Sequence, residues 1–434
     1  MPPLPSPTFC IVPWVRLYSD AFGNHIPCCM ASEKTWQYPL NPAPGGQPYT
    51  IYHTGELAAG WQSEFMRGLR LSFLAGQQPE MCAACFRNEA LGMRSYREST
   101  NEKYGEAITD AIAATAADGS APLDLVRCLY FQVGNLCNLR CRMCSPFSSR
   151  LMIPEWRLLF DTTKHEEVLK RFEHNDWFAH EVGWSTLERQ LPRLERLHFS
   201  GGEPLISEGM FELLRQLIAS RRSGRIILNY NTNLTVLPKQ VTGLWPHFRE
   251  VRITTSLDGM GAVNSYIRHP AQWEHIDANL KALTGNPERY NCVQLMFNTT
   301  VQAYNVLYLT DLFEDLFPRW APGTLVYPTL SPLAWPGCFS IRVLPAPLKV
   351  LAEDRLRAFM TRWEGRWPDT GPALDWFLAD IQGIIDHMHG ADCVAELPEF
   401  RRRTRVFDQS RGQDIRRVMP EWAPWFKQAY VPHS

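Results

Sequence analysis

The sequence predicts an α/β fold in which parallel strands alternate with helices. Short apolar runs rich in β-branched and aromatic residues recur through the middle of the chain, and many of them stop at glycine, asparagine or aspartate. Amphipathic stretches lie between several of these runs, which is the pattern of a parallel sheet covered by helices. The predicted strands are residues 127–133, 194–199, 226–231, 251–257, 293–301 and 324–330, and the predicted helices between them include 209–221, 273–283 and 306–316.

Composition and charge are those of an ordinary globular protein. The chain has 434 residues, of which 45% are hydrophobic, with a formal net charge of -1 and 12 cysteines. Its apolar runs are shorter than the roughly 18 residues that span a bilayer, so we expect a cytoplasmic protein without a membrane partner. The near-zero charge argues against a nucleic-acid partner. Many cysteines in a reducing compartment favour metal clusters over disulfides.

Three cysteines follow the first predicted strand at the spacing CxxxCxxC. Cys137, Cys141 and Cys144 supply three thiolates with no obvious fourth partner in the same loop. Structural zinc takes four ligands, whereas a 4Fe-4S cluster on three thiolates keeps one iron open for another ligand. The spacing therefore favours an iron–sulfur cluster with an open iron. The alternatives are half of a zinc site or three reduced cysteines.

A glycine turn follows the next predicted strand. Gly201 and Gly202 come shortly after the run 194–199 and lead into Glu203. Glycines let a ligand approach the backbone closely, and a carboxylate suits a cationic amine. Alone, such a turn is more often structural than functional. Loops after strands are, however, where α/β folds place their chemistry.

Four motifs in this order resemble the radical S-adenosylmethionine superfamily. The resemblance implies a partial (β/α)6 barrel, a 4Fe-4S cluster on the three cysteines, and S-adenosyl-L-methionine bound to the open iron. One electron from the cluster would break a carbon–sulfur bond of that cofactor, and the resulting 5′-deoxyadenosyl radical would abstract hydrogen from a substrate. The motifs are the cysteine triplet with Met143 before its last member, Gly201-Gly202-Glu203, Asn231-Thr232-Asn233, and Ser256-Leu257-Asp258-Gly259.

The resemblance also implies residues that bind S-adenosylmethionine. Glu203 would bind the amine of the methionine moiety. Asn233 and Ser256 would meet ribose hydroxyls or the methionine carboxylate, with a turn or cap role as the alternative. Arg268 would bind a carboxylate, with a surface arginine capping its loop as the alternative. The full predicted set is Met143, Gly201, Gly202, Glu203, Asn233, Ser256, Arg268 and Val301, the last lying with Asn298 near the adenine.

A second group of cysteines precedes the predicted barrel. Cys10, Cys28, Cys82 and Cys85 can close a four-thiolate site, and Cys29 is a rival for the position of Cys28. Four thiolates suit zinc and iron–sulfur equally, so the residues alone leave the metal open. The spacing resembles the twitch domain, a shortened SPASM domain, which implies an auxiliary iron–sulfur cluster. That module normally follows the barrel, whereas here it precedes it.

These features predict the organisation of the chain and its function. We expect a radical enzyme that acts on a peptide, often ribosomally made, or on a small metabolite, with a reductase, flavodoxin or ferredoxin as electron donor. The peptide is favoured only by analogy. The alternative from another class is a non-catalytic zinc protein. The predicted segments are 1–105 for the auxiliary-cluster module, 106–122 for a linker, 123–332 for the barrel, and 333–434 for an extension with helices at 348–367 and 373–389.

Overall fold

A single mixed sheet organises the chain. The computed structural model describes residues 3–34, 48–51, 54–161, 166–175, 177–179, 191–317, 329–364 and 373–426. Within these residues the sheet has eight strands in the order β2-β1-β3-β4-β5-β6-β7-β8, and every neighbouring pair is parallel except β1 with β2. The strands are β1 (Arg16–Ser19), β2 (His25–Ile26), β3 (Cys128–Gln132), β4 (Arg196–Ser200), β5 (Ile227–Thr232), β6 (Glu250–Ser256), β7 (Cys292–Val301) and β8 (Thr329–Pro332).

The predicted α/β class with a largely parallel sheet is confirmed, but the sheet is wider than the six strands predicted. Strands β3 to β7 coincide with predicted runs, and β8 overlaps the end of the run 324–330, whose first part lies outside the described residues. Strand β1 extends the sheet by pairing with β3, with Arg16 opposite Cys128. It was missed because it has only four residues and lies inside the segment assigned to the amino-terminal cysteines.

The two faces of the sheet differ in character. Along β6 and β7 buried residues alternate with half-buried ones, so one face holds Ile253 and Phe297 and the other holds Arg252 and Asn298. A parallel sheet covered by apolar layers on both sides would be apolar on both faces. The buried face joins the main core, whereas the polar face borders space that water can enter.

Helices occupy the segments for which amphipathic patterns predicted them, and the structure adds further helices. Residues 373–389 are helical as predicted, and 348–367 corresponds to a helix over Ala346–Trp363, with 365–367 outside the described residues. The predicted linker contains the helix Ile108–Ala113, whose buried Ala111 packs into the amino-terminal core. The domain boundaries stay a prediction. The described α-helices are Val12–Val15, Thr54–Trp61, Glu64–Leu74, Ala83–Ala90, Tyr96–Lys103, Ile108–Ala113, Ile153–Leu159, Glu166–Glu173, Glu208–Ala219, Lys239–Thr242, Gly261–Ile267, Trp273–Gly285, Leu309–Leu316, Ala346–Trp363, Ala373–His389, Leu397–Arg411 and Ile415–Val418.

The sequence predicted no segment that spans a membrane, and the helices can be compared with that prediction. Among the described residues, none of them combines the length and the apolar character that crossing a bilayer requires.

Asp380 gives the fold a pH dependence that can be measured. Its buried carboxylate accepts a hydrogen bond from the Arg94 backbone N–H at 3.3 Å, and burial raises its pKa to about 7. The unfolded chain releases this proton at lower pH than the folded chain, so the stability of the wild type falls as pH rises towards 7. Asp380→Asn keeps the acceptor oxygen without the charge. We expect the free energy of unfolding of Asp380→Asn, taken relative to that of wild type, to increase by about 2–3 kcal/mol between pH 5 and pH 8.

The measurement is urea unfolding of wild type and variant at both pH values. Asp375→Asn, an exposed position of the same helix, is the control because it removes the same charge. An advantage of Asp380→Asn that stays constant with pH would contradict the prediction.

Candidate functional site

The four predicted motifs lie at the carboxyl ends of adjacent parallel strands. Cys137 follows β3, Glu203 follows β4, Asn233 follows β5, and Asp258 follows β6. These four strands are adjacent and parallel, so their carboxyl ends meet. The arrangement brings together segments that are far apart in sequence.

The three cysteines of the triplet lie within interaction range of one another. The thiols of Cys141 and Cys144 share a hydrogen bond, which lowers the pKa of Cys141 and raises the pKa of Cys144. Burial raises the pKa of Cys137, and the nearby Cys141 raises it further. The positive charge of Arg268 favours the thiolate form of all three cysteines and so acts to lower the pKa of each. A loop of three neighbouring thiols beside one cation suits an anionic cluster.

The glycine turn is joined directly to the start of the cysteine loop. The Gly202 N–H donates to the Gly134 carbonyl and the Glu203 N–H donates to the Leu136 carbonyl, each at 2.8 Å. A Cβ on Gly202 would stand 2.1 Å from the Leu136 oxygen. Gly201 has φ of +115°, and a Cβ there would stand 2.7 Å from the Gly134 oxygen. The two glycines are therefore needed for this backbone contact, whether or not a ligand binds there. The sequence did not reveal the contact.

Glu203 is a buried carboxylate whose oxygens already accept three hydrogen bonds. They come from the Leu205 N–H at 3.0 Å, the Thr232 hydroxyl at 2.7 Å and the Asn233 N–H at 2.7 Å. Burial raises its pKa to about 7 in spite of these donors. A cationic group placed beside it would stabilise the carboxylate form, so the position suits an amine.

Asn233 connects the turn after β5 to the cysteine loop. Its side-chain amide donates to the Asn138 oxygen at 2.9 Å and lies 3.9 Å from the Cys137 sulfur. Its own oxygen accepts from the Thr235 N–H at 2.9 Å, as in a turn. The turn role and the position beside the triplet therefore coexist in one residue.

Arg268 is buried, with 8% of its surface exposed, and is not the surface arginine of the alternative interpretation. Its Nε lies 2.9 Å from an oxygen of Asp258, whose other oxygen accepts from the Thr300 N–H at 2.9 Å. Asp258 and Arg268 thus tie the loop after β6 to the end of β7.

The remaining predicted contacts divide between the two faces of the sheet. Ser256 is half-buried at the end of β6 and lies opposite Asn298, whose oxygen accepts from the Ser331 hydroxyl at 3.2 Å. Met143 is half-buried against the core. Val301 is fully buried in the apolar core, an odd number of residues from Asn298 and therefore on the opposite face of β7. The structure does not bring Val301 to the polar face.

A clamp from the carboxyl-terminal part of the chain holds the cysteine loop. The Arg142 guanidinium donates to Asp408 at 2.6 Å and to Gln413 at 2.9 Å, and its carbon lies 3.5 Å from the centre of the Tyr266 ring. Tyr266 also donates its hydroxyl to Asp408 at 2.7 Å. The side chains of Arg142 and Asp408 are both fully buried.

A second ion pair also joins the carboxyl-terminal part of the chain to the region of the cysteine loop. Arg411 donates to Glu155 at 2.6 Å, Ser410 donates to the same carboxylate at 2.6 Å, and Arg140 lies 3.3 Å from it. We call Asp408, Ser410, Arg411 and Gln413 the carboxyl-terminal clamp. Sequence reasoning missed it, although Arg140 and Arg142 on either side of Cys141 were a visible signal.

The amino-terminal cysteines surround a cavity. Cys10, Cys28, Cys82 and Cys85 all line it, together with apolar side chains such as Leu69 and Phe73. Burial raises the pKa of the Cys82 thiol to about 12 and of the Cys85 thiol to about 11. The four residues predicted from spacing are therefore neighbours in the fold.

Cys29 has a different environment from Cys28. The two thiols share a hydrogen bond that raises the pKa of Cys28 and lowers the pKa of Cys29. Cys29 also interacts with the hydroxyls of Tyr18 and Tyr96 and with the guanidinium of Arg16. Cys28 lines the cavity and interacts with Cys10, whereas Cys29 interacts with Cys85, so both remain candidates for the fourth position.

Both cysteine groups can be compared with what metals require. Within the described residues, no three His, Cys, Asp or Glu side chains meet closely enough to hold a single metal ion. An iron–sulfur cluster is held by cysteine thiolates. The three neighbouring thiols after β3 and the thiols around the amino-terminal cavity are of the residue type that such a cluster would take.

Comparison with known proteins gives only distant structural matches. No protein-family model and no curated protein matches the chain. SuiB of Streptococcus suis bound to S-adenosylmethionine is 13% identical with a TM-score of 0.32, over 68% of this chain and 63% of that chain. The protein anSMEcpe with bound AdoMet and the Cp18Cys peptide is 14% identical with a TM-score of 0.33, over 55% and 60%.

A third solved structure matches with similarly low identity and TM-score. The radical S-adenosylmethionine methyltransferase TsrM of Kitasatospora setae, with tryptophan and aza-SAM bound, is 12% identical with a TM-score of 0.31, over 68% and 60%. The chain thus spans less than two thirds of the length of these proteins. Values this low do not assign it to a family.

Proposed function

We propose that this protein is a radical S-adenosylmethionine enzyme. One observation carries the proposal: the CxxxCxxC loop after β3 is joined by backbone hydrogen bonds to the Gly-Gly-Glu turn after β4. This contact supports the proposal because it would set a three-thiolate cluster beside a carboxylate suited to an amine, at the carboxyl ends of parallel strands, where such sheets bind ligands.

Each residue of the site would have a separate role in binding the cluster and the cofactor. Cys137, Cys141 and Cys144 would hold a 4Fe-4S cluster, which when bound supplies the electron that cleaves S-adenosylmethionine. Glu203 would hold the amine of that cofactor through a charge-assisted hydrogen bond. The guanidinium of Arg268 offsets the negative charge of the thiolates. The polar contacts of these residues fix their positions before the cofactor binds, which limits the cost of binding.

The amino-terminal cavity extends the proposal to an auxiliary iron–sulfur cluster. Cys10, Cys28, Cys82 and Cys85 would hold it through four thiolates, which leaves no iron open for substrate. Its role would then be to relay electrons or to support the structure. We propose a peptide substrate, with a small metabolite as the second candidate, and a flavodoxin, ferredoxin or reductase as the electron donor, in a cytoplasmic setting.

Cys141→Ala tests the proposal. In anaerobically reconstituted wild-type protein, reduction with dithionite in the presence of S-adenosylmethionine should release 5′-deoxyadenosine, whereas the variant should release at least 100-fold less because it loses a cluster ligand. Cys393→Ala, outside both cysteine groups, is the matched control and should behave as wild type. Undiminished 5′-deoxyadenosine from Cys141→Ala would refute the assignment of the cluster.

Metal analysis separates this proposal from a non-catalytic zinc protein. Two 4Fe-4S clusters correspond to about eight irons per chain with equal sulfide, and Cys82→Ala should remove about half of the iron. Zinc without sulfide in wild-type protein would end the proposal.

A further inference from the structure

The polar face of the sheet carries a continuous row of hydrogen-bonding side chains. In-register pairing places Tyr18, Tyr130, His198, Asn229, Arg252 and Gln294 side by side across six strands. Tyr130 and His198 stack with ring centres 4.2 Å apart. Asn229, Arg252 and Gln294 are half-buried although they lie in the middle of the sheet. Space therefore lies above this row.

Positive charge collects where this face meets the amino ends of the strands. Arg196 is the first residue of β4 and shares the face of His198, two residues later. Lys103 ends the helix Tyr96–Lys103, and its ammonium interacts with the guanidiniums of Arg196, Arg16 and Arg252. We call Lys103, Arg196 and Arg252 the basic wall.

The basic wall has few negative partners. Among the described residues, Arg252 pairs with Glu250 at 2.6 Å, whereas Lys103 and Arg196 form no ion pair. Arg196 is 5% exposed; its Nη1 donates to Asn229 at 2.8 Å and its Nε has no hydrogen-bond partner in that part of the chain. A buried guanidinium without a carboxylate is costly, so such an arrangement is expected where an anion binds.

Nearby groups respond to the same excess of positive charge. Lys103 is exposed to water, as a side chain that borders a solvent-filled space would be, and its ammonium lies near Arg196 and Arg16. Burial and the nearby Arg16 lower the pKa of His198 to about 3, so this ring is neutral near pH 7.

Arg16 belongs to a different arrangement. It donates to the Tyr18 hydroxyl at 3.3 Å and to Tyr96, and it favours the thiolate of Cys29. Its charge therefore compensates the amino-terminal thiols. Arg196 and Arg252 lie farther along the sheet, on β4 and β6, where Arg196 donates to Asn229 and Arg252 pairs with Glu250.

We propose that the basic wall binds an anionic group of the substrate, a carboxylate or a phosphate. The inference rests on the proposed function, because it treats the polar face as the substrate surface. The anion would be held at the amino ends of β4 and β6, at the opposite end of the strands from the cysteine loop. The row from Tyr130 to Gln294 would then contact the rest of the substrate between these two ends.

Anion binding by the iron-loaded full-length protein tests the proposal without requiring turnover. Inorganic phosphate and succinate are titrated separately by calorimetry, with chloride at matched ionic strength as the reference. At least one of the two should bind to wild type with one site per chain. Arg196→Gln should raise the dissociation constant at least tenfold, because a guanidinium contributes a charge-assisted bidentate contact. Preference for phosphate or for succinate identifies the anionic group.

Two further variants make the result decisive. Lys103→Met, at a water-accessible position, should weaken binding in the same direction even if Arg196→Gln folds poorly. Arg215→Gln, in an exposed ion pair with Glu212, should leave binding unchanged. No binding beyond the chloride reference, or equal binding by wild type and both variants of the basic wall, would overturn the proposal. Release of 5′-deoxyadenosine by wild type reports separately on the proposed function.

Discussion

Asp408→Ala is expected to destabilise the protein by about 3–5 kcal/mol and to loosen the cysteine loop. The substitution leaves the guanidinium of Arg142 buried without its carboxylate, and breaking a buried pair from one side has this cost. It also removes the acceptor for Tyr266. Urea unfolding measures the loss of stability. Iron analysis after reconstitution should show loss of about half of the iron, from the triplet and not from the amino-terminal site.

The comparison with a double variant distinguishes a specific clamp from general damage. Arg142→Met combined with Asp408→Leu removes both charges, so it should be less destabilised than Asp408→Ala alone. Glu399→Ala, which breaks partly exposed ion pairs at the other end of the same helix, should cost less than about 1 kcal/mol. If Asp408→Ala lowered the iron at both cysteine groups equally, the clamp would not act on the triplet in particular.

Gly202→Ala is the second substitution for which we expect a large effect. Its Cβ would lie 2.1 Å from the Leu136 carbonyl oxygen, which is backbone and cannot turn away. The turn after β4 and the cysteine loop must separate, at a cost of about 1–3 kcal/mol of strain. Because Glu203 moves with the turn, release of 5′-deoxyadenosine should fall by about 100-fold or more.

The control for this substitution is Gly224→Ala. A Cβ at Gly224 meets no atom within 4 Å, so this variant should keep wild-type activity and stability. Thermal unfolding and the assay for 5′-deoxyadenosine measure both variants. Wild-type activity in Gly202→Ala would show that the two loops need not touch.

Local patterns were sufficient to predict the strands and their polar ends. Apolar runs identified β3 to β7, and strand ends located Cys137 and Glu203, because adjacent parallel strands bring their carboxyl ends together. Asn233 and Arg268 were predicted from the family resemblance, which could not give the burial of Arg268. Its ion pair with Asp258 forms only after the chain folds.

Contacts between distant segments could not be predicted in this way. Arg142 and Asp408 are separated by 266 residues, and no periodicity links them. Val301 was placed near the cofactor because it ends a strand, but strand alternation puts it on the core face. The short β1 has too few residues for a period to be recognised.

The carboxyl-terminal clamp also sets an order of events during synthesis. The loop that carries Cys141 is complete only when Arg142 meets Asp408 and Gln413, so it cannot reach its final form until the ribosome has translated past residue 413. The amino-terminal thiols depend on contacts made within the first part of the chain. The contacts around the amino-terminal thiols can therefore form before those that complete the loop of the triplet.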